Sequence, residues 1–321
     1  MALKTGQTEL SDLHLRIIAA LQVDGRAPWS RIAEALGEPE RTVARYGVEL
    51  LESGTVTVAA VRTFANRVIM ACECMPGAAR LAAQSLSQRD GVTYSYLTTG
   101  TSGVVTEVGY SGDLSDLLTL EVPAVPGITR FSAFPVLRYF RTVRGWRVGA
   151  LSVTEERGIA PPDGADDLEA ATSASASQGS HDDDIIACIE EDGRASIESI
   201  SRRAQVSATS VARRLDWLVS SGRISIRSLV EPSAVGLPVE AMLWVESPPE
   251  RVEPLGSWLR DRPEVRYAAA IAGDAQLLVN VTVASHAQLY GFLAHEMWKG
   301  VGRVRTDLVV EARKRGGQWR G

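Results

Sequence analysis

The sequence predicts an α+β fold built twice: two tandem units, each a helix-turn-helix module of winged-helix type followed by a ferredoxin-like βαββαβ domain. Three observations predict it. Residues 17–61 align on residues 185–229 without a gap at a constant offset of 168, with about a third of the positions identical. After each copy, strand-like and helix-like segments recur in the same order, now at an offset of 173. Between the halves lies a stretch rich in Pro, Ala, Ser and Asp that has no apolar periodicity. A repeat this long copies a whole structural unit, and a copied unit points to symmetry in what it binds.

Each half opens on the helical module. Leu13, Ile17, Ile18 and Leu21 recur at helical spacing, as do Ile185, Ile186 and Ile189. Asp24-Gly25-Arg26-Ala27 and Asp192-Gly193-Arg194-Ala195 follow, the glycines being candidates for a left-handed helix terminus. Short second helices surround Ile32-Ala33-Leu36 and Ile200-Ala204, with Ser196 an N-cap and Pro28 suited to a first turn. Third helices are predicted over Glu40–Glu52 and Ala208–Ser220, with Val43, Leu50, Val211, Leu215 and Leu218 as the buried stripe. Val56/Val58 and Ile224/Ile226 then alternate as short strands. A tight turn before the third of three short helices is the helix-turn-helix pattern.

The βαββαβ order comes next. In the first half it reads Val68–Cys74, Ala78–Leu86, Val92–Thr98, Val104–Val108, Leu114–Leu120 and Thr129–Tyr139. In the second it reads Val239–Val245, Val252–Leu259, Val265–Ile271, Leu277–Val283, Ala287–His295 and Val304–Val310. The domains therefore run 1–61 and 62–153, then an acidic flexible linker at 154–181, then 182–230 and 231–321.

Composition narrows the function classes. The net charge of −5 divides into +1 for residues 1–153 (15 basic, 14 acidic), −8 for 154–184 (one basic, nine acidic) and +2 for 185–321 (18 basic, 16 acidic). The acidity is local, so the overall sign does not exclude a nucleic-acid partner. No apolar run approaches the roughly 18–20 residues that span a bilayer, and the first twelve residues lack a signal-peptide core, so a cytoplasmic protein without a membrane partner is expected. Cys72, Cys74 and Cys188 are too few and too poorly spaced for a disulfide framework or a zinc site, and Cys72 and Cys74 are expected to pack as small hydrophobes. No phosphate loop, no Gly-x-Ser-x-Gly elbow and no dinucleotide loop occurs, so neither a cofactor nor an enzyme activity is expected.

A helix-turn-helix followed by a ferredoxin-like domain, with Asp-Gly-Arg between the first two helices, resembles the leucine-responsive (Lrp/AsnC) family of bacterial transcription regulators. The second half is the closer match, through Asp192-Gly193-Arg194, Ser207 to Arg213-Arg214, Gly222-Arg223-Ile224, Ala234-Val235-Gly236 and the loop Gly273-Asp274. The resemblance implies a regulator that binds operator DNA, whose ferredoxin-like domains pair and respond to an amino acid or related small molecule near the domain interface. Two such domains in one chain are expected to form an intrachain pseudo-dimer, with further homo-oligomers open.

A recognition helix enters the major groove with its N-terminal turn toward the bases. In the second module that turn offers Ser207, Thr209 and Ser210, with Arg213 and Arg214 one turn on. Arg202, Arg203, Arg223 and Arg227 would meet phosphates. The first module offers Arg41, Thr42, Arg45 and Tyr46, but Glu38 and Glu40 stand where phosphates approach and Pro39 fills the capping slot. Gly47 replaces Leu215, at an expected loss of helix stability and of a core contact. Weaker DNA binding by the first module, or a different half-site, follows. For the effector, Gly100 aligns with Gly273, but Thr101 stands opposite Asp274, so the second loop looks the more intact.

Two alternatives share this architecture. One is an enzyme similar to the siroheme decarboxylases, faintly signalled by Glu240-Ala241-Met242-Leu243-Trp244, although Arg266-Tyr267-Ala268-Ala269-Ala270 brings no histidine where that chemistry needs one. The other is a ligand sensor whose modules no longer bind DNA.

Overall fold

The structure, a computed structural model, describes residues 10–161 and 181–319. The amino-terminal stretch and the central part of the expected linker lie outside the described residues. The first module consists of α1 (Asp12–Val23), α2 (Trp29–Leu36), α3 (Glu40–Glu52) and β1 (Val56–Arg62). After the first ferredoxin-like domain, the second module repeats it as α7 (Asp182–Glu191), α8 (Ile197–Ala204), α9 (Ala208–Ser220) and β6 (Ile224–Val230). Both third helices have the bounds their periodicity predicts. Their cores are the predicted stripes: Ile17, Ile18, Leu21, Val43 and Leu50 in one, Ile185, Ile186, Ile189, Val211, Leu215 and Leu218 in the other.

The two modules are joined into one unit. β1 and β6 form an antiparallel pair in which Val56 faces Val230 and Arg62 faces Ile224. Those two pairings interconvert under the repeat offset, and Ala59 faces Arg227, its own equivalent. An internal twofold axis therefore passes through that pair, an isologous interface within one chain. The Asp-Gly-Arg segments cross the same axis. Arg26 donates to the carbonyls of Gly193 and Ala195 (2.5 and 3.0 Å), and Arg194 returns the bonds to Gly25 and Ala27 (2.6 and 2.9 Å).

Here the expected left-handed glycines are corrected. Neither Gly25 nor Gly193 has a positive φ. A Cβ on Gly193 would lie 2.7 Å from the backbone of Val58 and Ala59, and one on Gly25 would meet Val58 and Ser228. Glycine is required because the paired strands pass against both: the opposite module's β1 at Gly193, and side chains of β1 and β6 together at Gly25.

The first ferredoxin-like domain comprises β2 (Asn66–Cys74), α4 (Ala79–Ser87), β3 (Val92–Thr98), β4 (Val104–Tyr110), α5 (Leu114–Asp116, continuing as a π-helical turn over Leu117–Glu121) and β5 (Ile128–Arg141). The second comprises β7 (Val239–Glu246), α10 (Pro249–Arg260), β8 (Val265–Ile271), β9 (Leu277–Val283), α11 (His286–Leu293), β10 (Arg303–Arg315) and the short β11 (Gln318–Trp319). The long final strands do what the pattern did not reveal. β5 pairs with β2 as far as Pro135, then crosses to β8 from Val136. β10 pairs with β7 as far as Leu308, then crosses to β3 from Val309. The antiparallel sheets of the two halves thereby close into one barrel, the expected intrachain pseudo-dimer.

Helices cover the outside over two apolar clusters, one per half, with Cys72 fully buried and Cys74 half-buried in the first. The inside is shared by both halves: Ile69, Tyr94, Tyr96, Phe134, Met242, Trp244, Tyr267 and Leu278 pack there. Buried polar groups interrupt it, Glu107 and Glu240 among them. Glu107 accepts from Tyr139 and Tyr267 (2.9 and 2.8 Å) and pairs with Arg67 at 3.4 Å. Glu240 takes both terminal nitrogens of Arg315 at 2.8 Å.

The expected linker starts too early. Val153–Ile159 is a helix, α6, opened by a capping box in which Ser152 accepts from the Glu155 amide and Glu155 reaches back. Ile159 is fully buried in the first module's core with Trp146, and Arg16 holds Glu155 at 2.6 Å. The Ser152 hydroxyl and Arg16 pull the Glu155 carboxyl down to about 2. At the other end, Asp182, Asp183 and Asp184 form the first turn of α7, where the helix N-terminus favours negative charge. Part of the acidic segment is thus folded structure.

Candidate nucleic-acid interface and effector loops

The second recognition helix, α9, begins as its sequence requires. Ser207 is the N-cap: its hydroxyl accepts from the Ser210 amide at 3.2 Å and bonds the Ser210 hydroxyl at 2.9 Å. Thr209 and Arg213 are exposed on the helix, and Ser210 is half-buried. Arg214 does not join them. Its guanidinium forms a two-nitrogen ion pair with Asp182, which is only 1 % exposed, and it stacks over Trp217 at 3.9 Å. The hydrogen bond to Asp182 holds the Arg214 pKa above its ordinary value. The residue ties α9 to the start of α7, so its expected place beside Arg213 as a base reader is corrected.

In the first module Arg41 and Arg45 are exposed on α3, and Thr42 is half-buried. Tyr46 occupies the position of Arg214, and His14 that of Asp182. The two rings stack with centroids 4.3 Å apart, and Arg45 lies over the outer face of Tyr46 at 4.2 Å. One module thus fastens its recognition helix by a salt bridge and the other by a ring stack at the same place. Tyr46 is a packing residue, with only its Arg45 face turned outward.

Gly47 is also corrected. A Cβ there would lie 2.3 Å from the Trp29 ring, so α2 supplies the missing volume from the other side. Trp29 stands where the second module has Ile197, and the Trp29/Gly47 pair replaces Ile197/Leu215. The core contact is exchanged, not lost. A shallow groove of about 700 Å³ runs along the outer face of α3, lined by Ala44, Arg45, Val48, Glu49, Glu52 and Ser53.

The flanking arginines divide. Arg202 and Arg203 are exposed on α8, Arg203 with Glu191 at 2.7 Å. Arg223 is half-buried near Trp217, with its guanidinium 5.5 Å from the ring. Arg227, on the twofold axis, is turned toward the barrel among Arg67, Arg144, Glu107 and Tyr139. Burial, then repulsion from Arg67 and Arg144, lowers it to about 10. It is not placed to meet a phosphate.

The two loops expected to meet an effector each lie against the other half's long strand. Gly273 (φ +152°) abuts the Phe134 ring of β5, and the Ala272 amide donates to Pro135. Asp274 is exposed at the tip, with the Gln276 side chain bonded to the Gly273 carbonyl. Gly100 (φ +85°) abuts Asp307 of β10, the equivalent of Phe134. Asp307 is 2 % exposed, accepts from the Trp244 indole at 3.1 Å and lies 3.3 Å from Arg305. Burial raises its pKa against the pull of Arg305. Sequence reasoning passed over Asp307, although a carboxylate inside the alternating run Val304–Val310 was a signal for it.

Comparison with known proteins agrees with this architecture. The AsnC-type helix-turn-helix domain matches residues 10–45 and 181–219, and the Lrp/AsnC ligand binding domain matches residues 240–319. An HTH-type transcriptional regulator of Pyrococcus horikoshii is 30% identical over 135 residues, covering 41% of this chain and 85% of that protein. One from Pyrococcus abyssi is 28% identical over the same length, with the same two coverages. Among solved structures, the siroheme decarboxylase NirDL superposes with a TM-score of 0.61 over 95% of this chain and 92% of its own, at 15% identity, a likeness of fold. Among the described residues no helix is long and apolar enough to cross a membrane. The chain belongs to the Lrp/AsnC family of helix-turn-helix transcription regulators, and carries the family's unit twice in one polypeptide.

Proposed function

We propose that the protein is a sequence-specific regulator that grips double-stranded DNA with α3 and α9 together and is controlled by a small molecule at the loop–strand contacts of the barrel. One observation carries the reading. Two recognition helices related by the internal twofold each present an exposed arginine at the same position, Arg45 and Arg213. Duplex DNA has matching twofold symmetry, and an arginine bidentate to guanine is the commonest specific contact. Thr209, Ser210, Arg41 and Thr42 complete the two reading turns, and Arg202 and Arg203 serve the backbone.

The effector would be an amino acid or related small molecule at Gly273-Asp274, where an exposed carboxylate can accept from an ammonium group. The loop contacts the other half's strand, so occupancy there bears on how the halves pack and through them on the modules. Against the decarboxylase reading stands the placing of the histidines. His14 stacks on Tyr46 in a module, and His181, His286 and His295 lie at or in outer helices.

A gel shift on DNA upstream of its own gene, across salt concentrations and a panel of amino acids, tests both parts. Steep salt dependence with retained sequence preference is expected, together with a shift in affinity for one amino acid. Binding that ignores sequence at every salt would refute the first part. An affinity unmoved by the whole panel would refute the second. Absorbance after incubation with siroheme tests the alternative directly.

A further inference from the structure

In a homodimeric regulator the two recognition helices are identical, so the operator is free to be a true palindrome. Here the symmetry axis lies inside one chain, and the helices it relates differ. At the shared position both modules expose arginine, Arg45 and Arg213. One turn earlier, at the end that enters the groove, the first exposes Arg41 where the second exposes Thr209. The preceding pair is Glu40 and Ala208, and the following exposed pair is Val48 and Asp216.

The modules cannot trade places. β1 pairs with β6, the Asp-Gly-Arg arginines are exchanged, and both strands run on into one closed barrel. Resting on the DNA-binding reading above, we infer that the operator is an asymmetric site: two half-sites that share one guanine, read by Arg45 and Arg213, and differ at the base pair facing Arg41 and Thr209. Arg41 calls for a second guanine through its fork of donors. Thr209 is too short and carries no charge; its methyl and hydroxyl suit a thymine methyl or a lone acceptor. The carboxylate of Glu40 beside Arg41 disfavours close phosphate approach at that half and leaves the purine edge as the outlet for the arginine's donors. One chain then fixes its own orientation on the DNA, and with it the direction in which it faces a promoter.

The test is selection of bound duplexes from a random pool with the full-length chain. Fluorescence anisotropy then follows on the selected duplex and on its two symmetrised versions, one built from each half. The expected site shows one dyad-related guanine in each half and one position where the halves differ. The duplex symmetrised toward the Thr209 half should bind more weakly by about 5- to 150-fold, the range of one arginine–guanine contact, and the one symmetrised toward the Arg41 half more weakly by less, because only a threonine contact is lost.

The variant Thr209→Arg, on an exposed helical position, should reverse this and prefer the duplex symmetrised toward the Arg41 half. Arg41→Thr should prefer the other. Retained far-UV circular dichroism and thermal midpoint confirm that both variants are folded. A selected site with identical halves, or a Thr209→Arg variant that keeps the original preference, would overturn the inference while leaving DNA binding intact. No enrichment of any duplex would overturn the DNA-binding reading itself and this inference with it.

Discussion

At the scale of single residues, the charges most costly to disturb lie away from the surface proposed to face DNA. Glu240 is 7 % exposed between Arg315 and Arg266, which are 2 % and 1 % exposed. Burial alone would raise its pKa, but Arg315, bonded to both carboxylate oxygens, and Arg266 outweigh that and hold it below the ordinary 4.5. The folded protein therefore binds this proton less tightly than the unfolded chain. Its contribution is complete above the ordinary carboxylate range and is lost as pH falls through that range toward the folded value. Thermal midpoints measured from pH 7 down to pH 3 should fall across that window. Glu240→Gln should flatten the fall and cost about 3–5 kcal/mol at pH 7, because it removes the carboxylate two buried guanidiniums share and leaves Arg315 only Glu231, at 3.5 Å. Asp182 is the counterpart in the second module. Asp182→Asn should lower the urea midpoint by the equivalent of about 1–2 kcal/mol, since Arg214 is partly solvated.

At the scale of elements, the repeat made most of the fold legible and hid what breaks the repeat. The third helices and several strands have their predicted bounds because apolar spacing acts locally, as do the left-handed glycines Gly54 (φ +72°) and Gly222 (φ +70°) just past the third helices. Contacts between modules leave no periodic trace, so Gly25 and Gly193 read as helix terminators when they are clearances for a neighbouring strand. Arg214 read as a DNA contact because its partner, Asp182, sits 32 residues earlier. The helix over Val153–Ile159 was legible after all: Ser152 and Glu155 have capping-box spacing, masked by the Pro-rich stretch that follows.

Gly47 shows how a repeat misleads, and it gives a clean test. Gly47→Leu alone should destabilise the protein by about 1–3 kcal/mol, because the added Cβ would enter the Trp29 ring. Trp29→Ile alone leaves a void beside glycine and costs a similar amount. The double variant reproduces the Ile197/Leu215 pair of the second module and should recover most of the loss. A double-mutant cycle in urea measures the coupling, and simple additivity would contradict the exchange of volume inferred here.

At the scale of the whole molecule, two units that are separate in sequence have become one body. Three independent seams hold it: the β1–β6 pair with its exchanged arginines, the crossing of β5 onto β8, and the crossing of β10 onto β3. The barrel interior draws its side chains from both halves, with Tyr94 against Tyr267 and Phe134 against Trp244. Neither half has a closed core without the other. A covalent connection between the halves is then unnecessary for the native state once it has formed. A protease site placed within residues 162–180 should give, after cutting, two pieces that co-elute at the mass of the intact chain and part only in denaturant. DNA affinity should change by less than about twofold, since the three seams are formed by residues outside the cut segment. If the pieces separate in native buffer, or each re-forms a homodimer, the seams are weaker than their extent implies. The recognition helices would then be held in register by the tether alone, and an operator read by both at once would lose its structural basis.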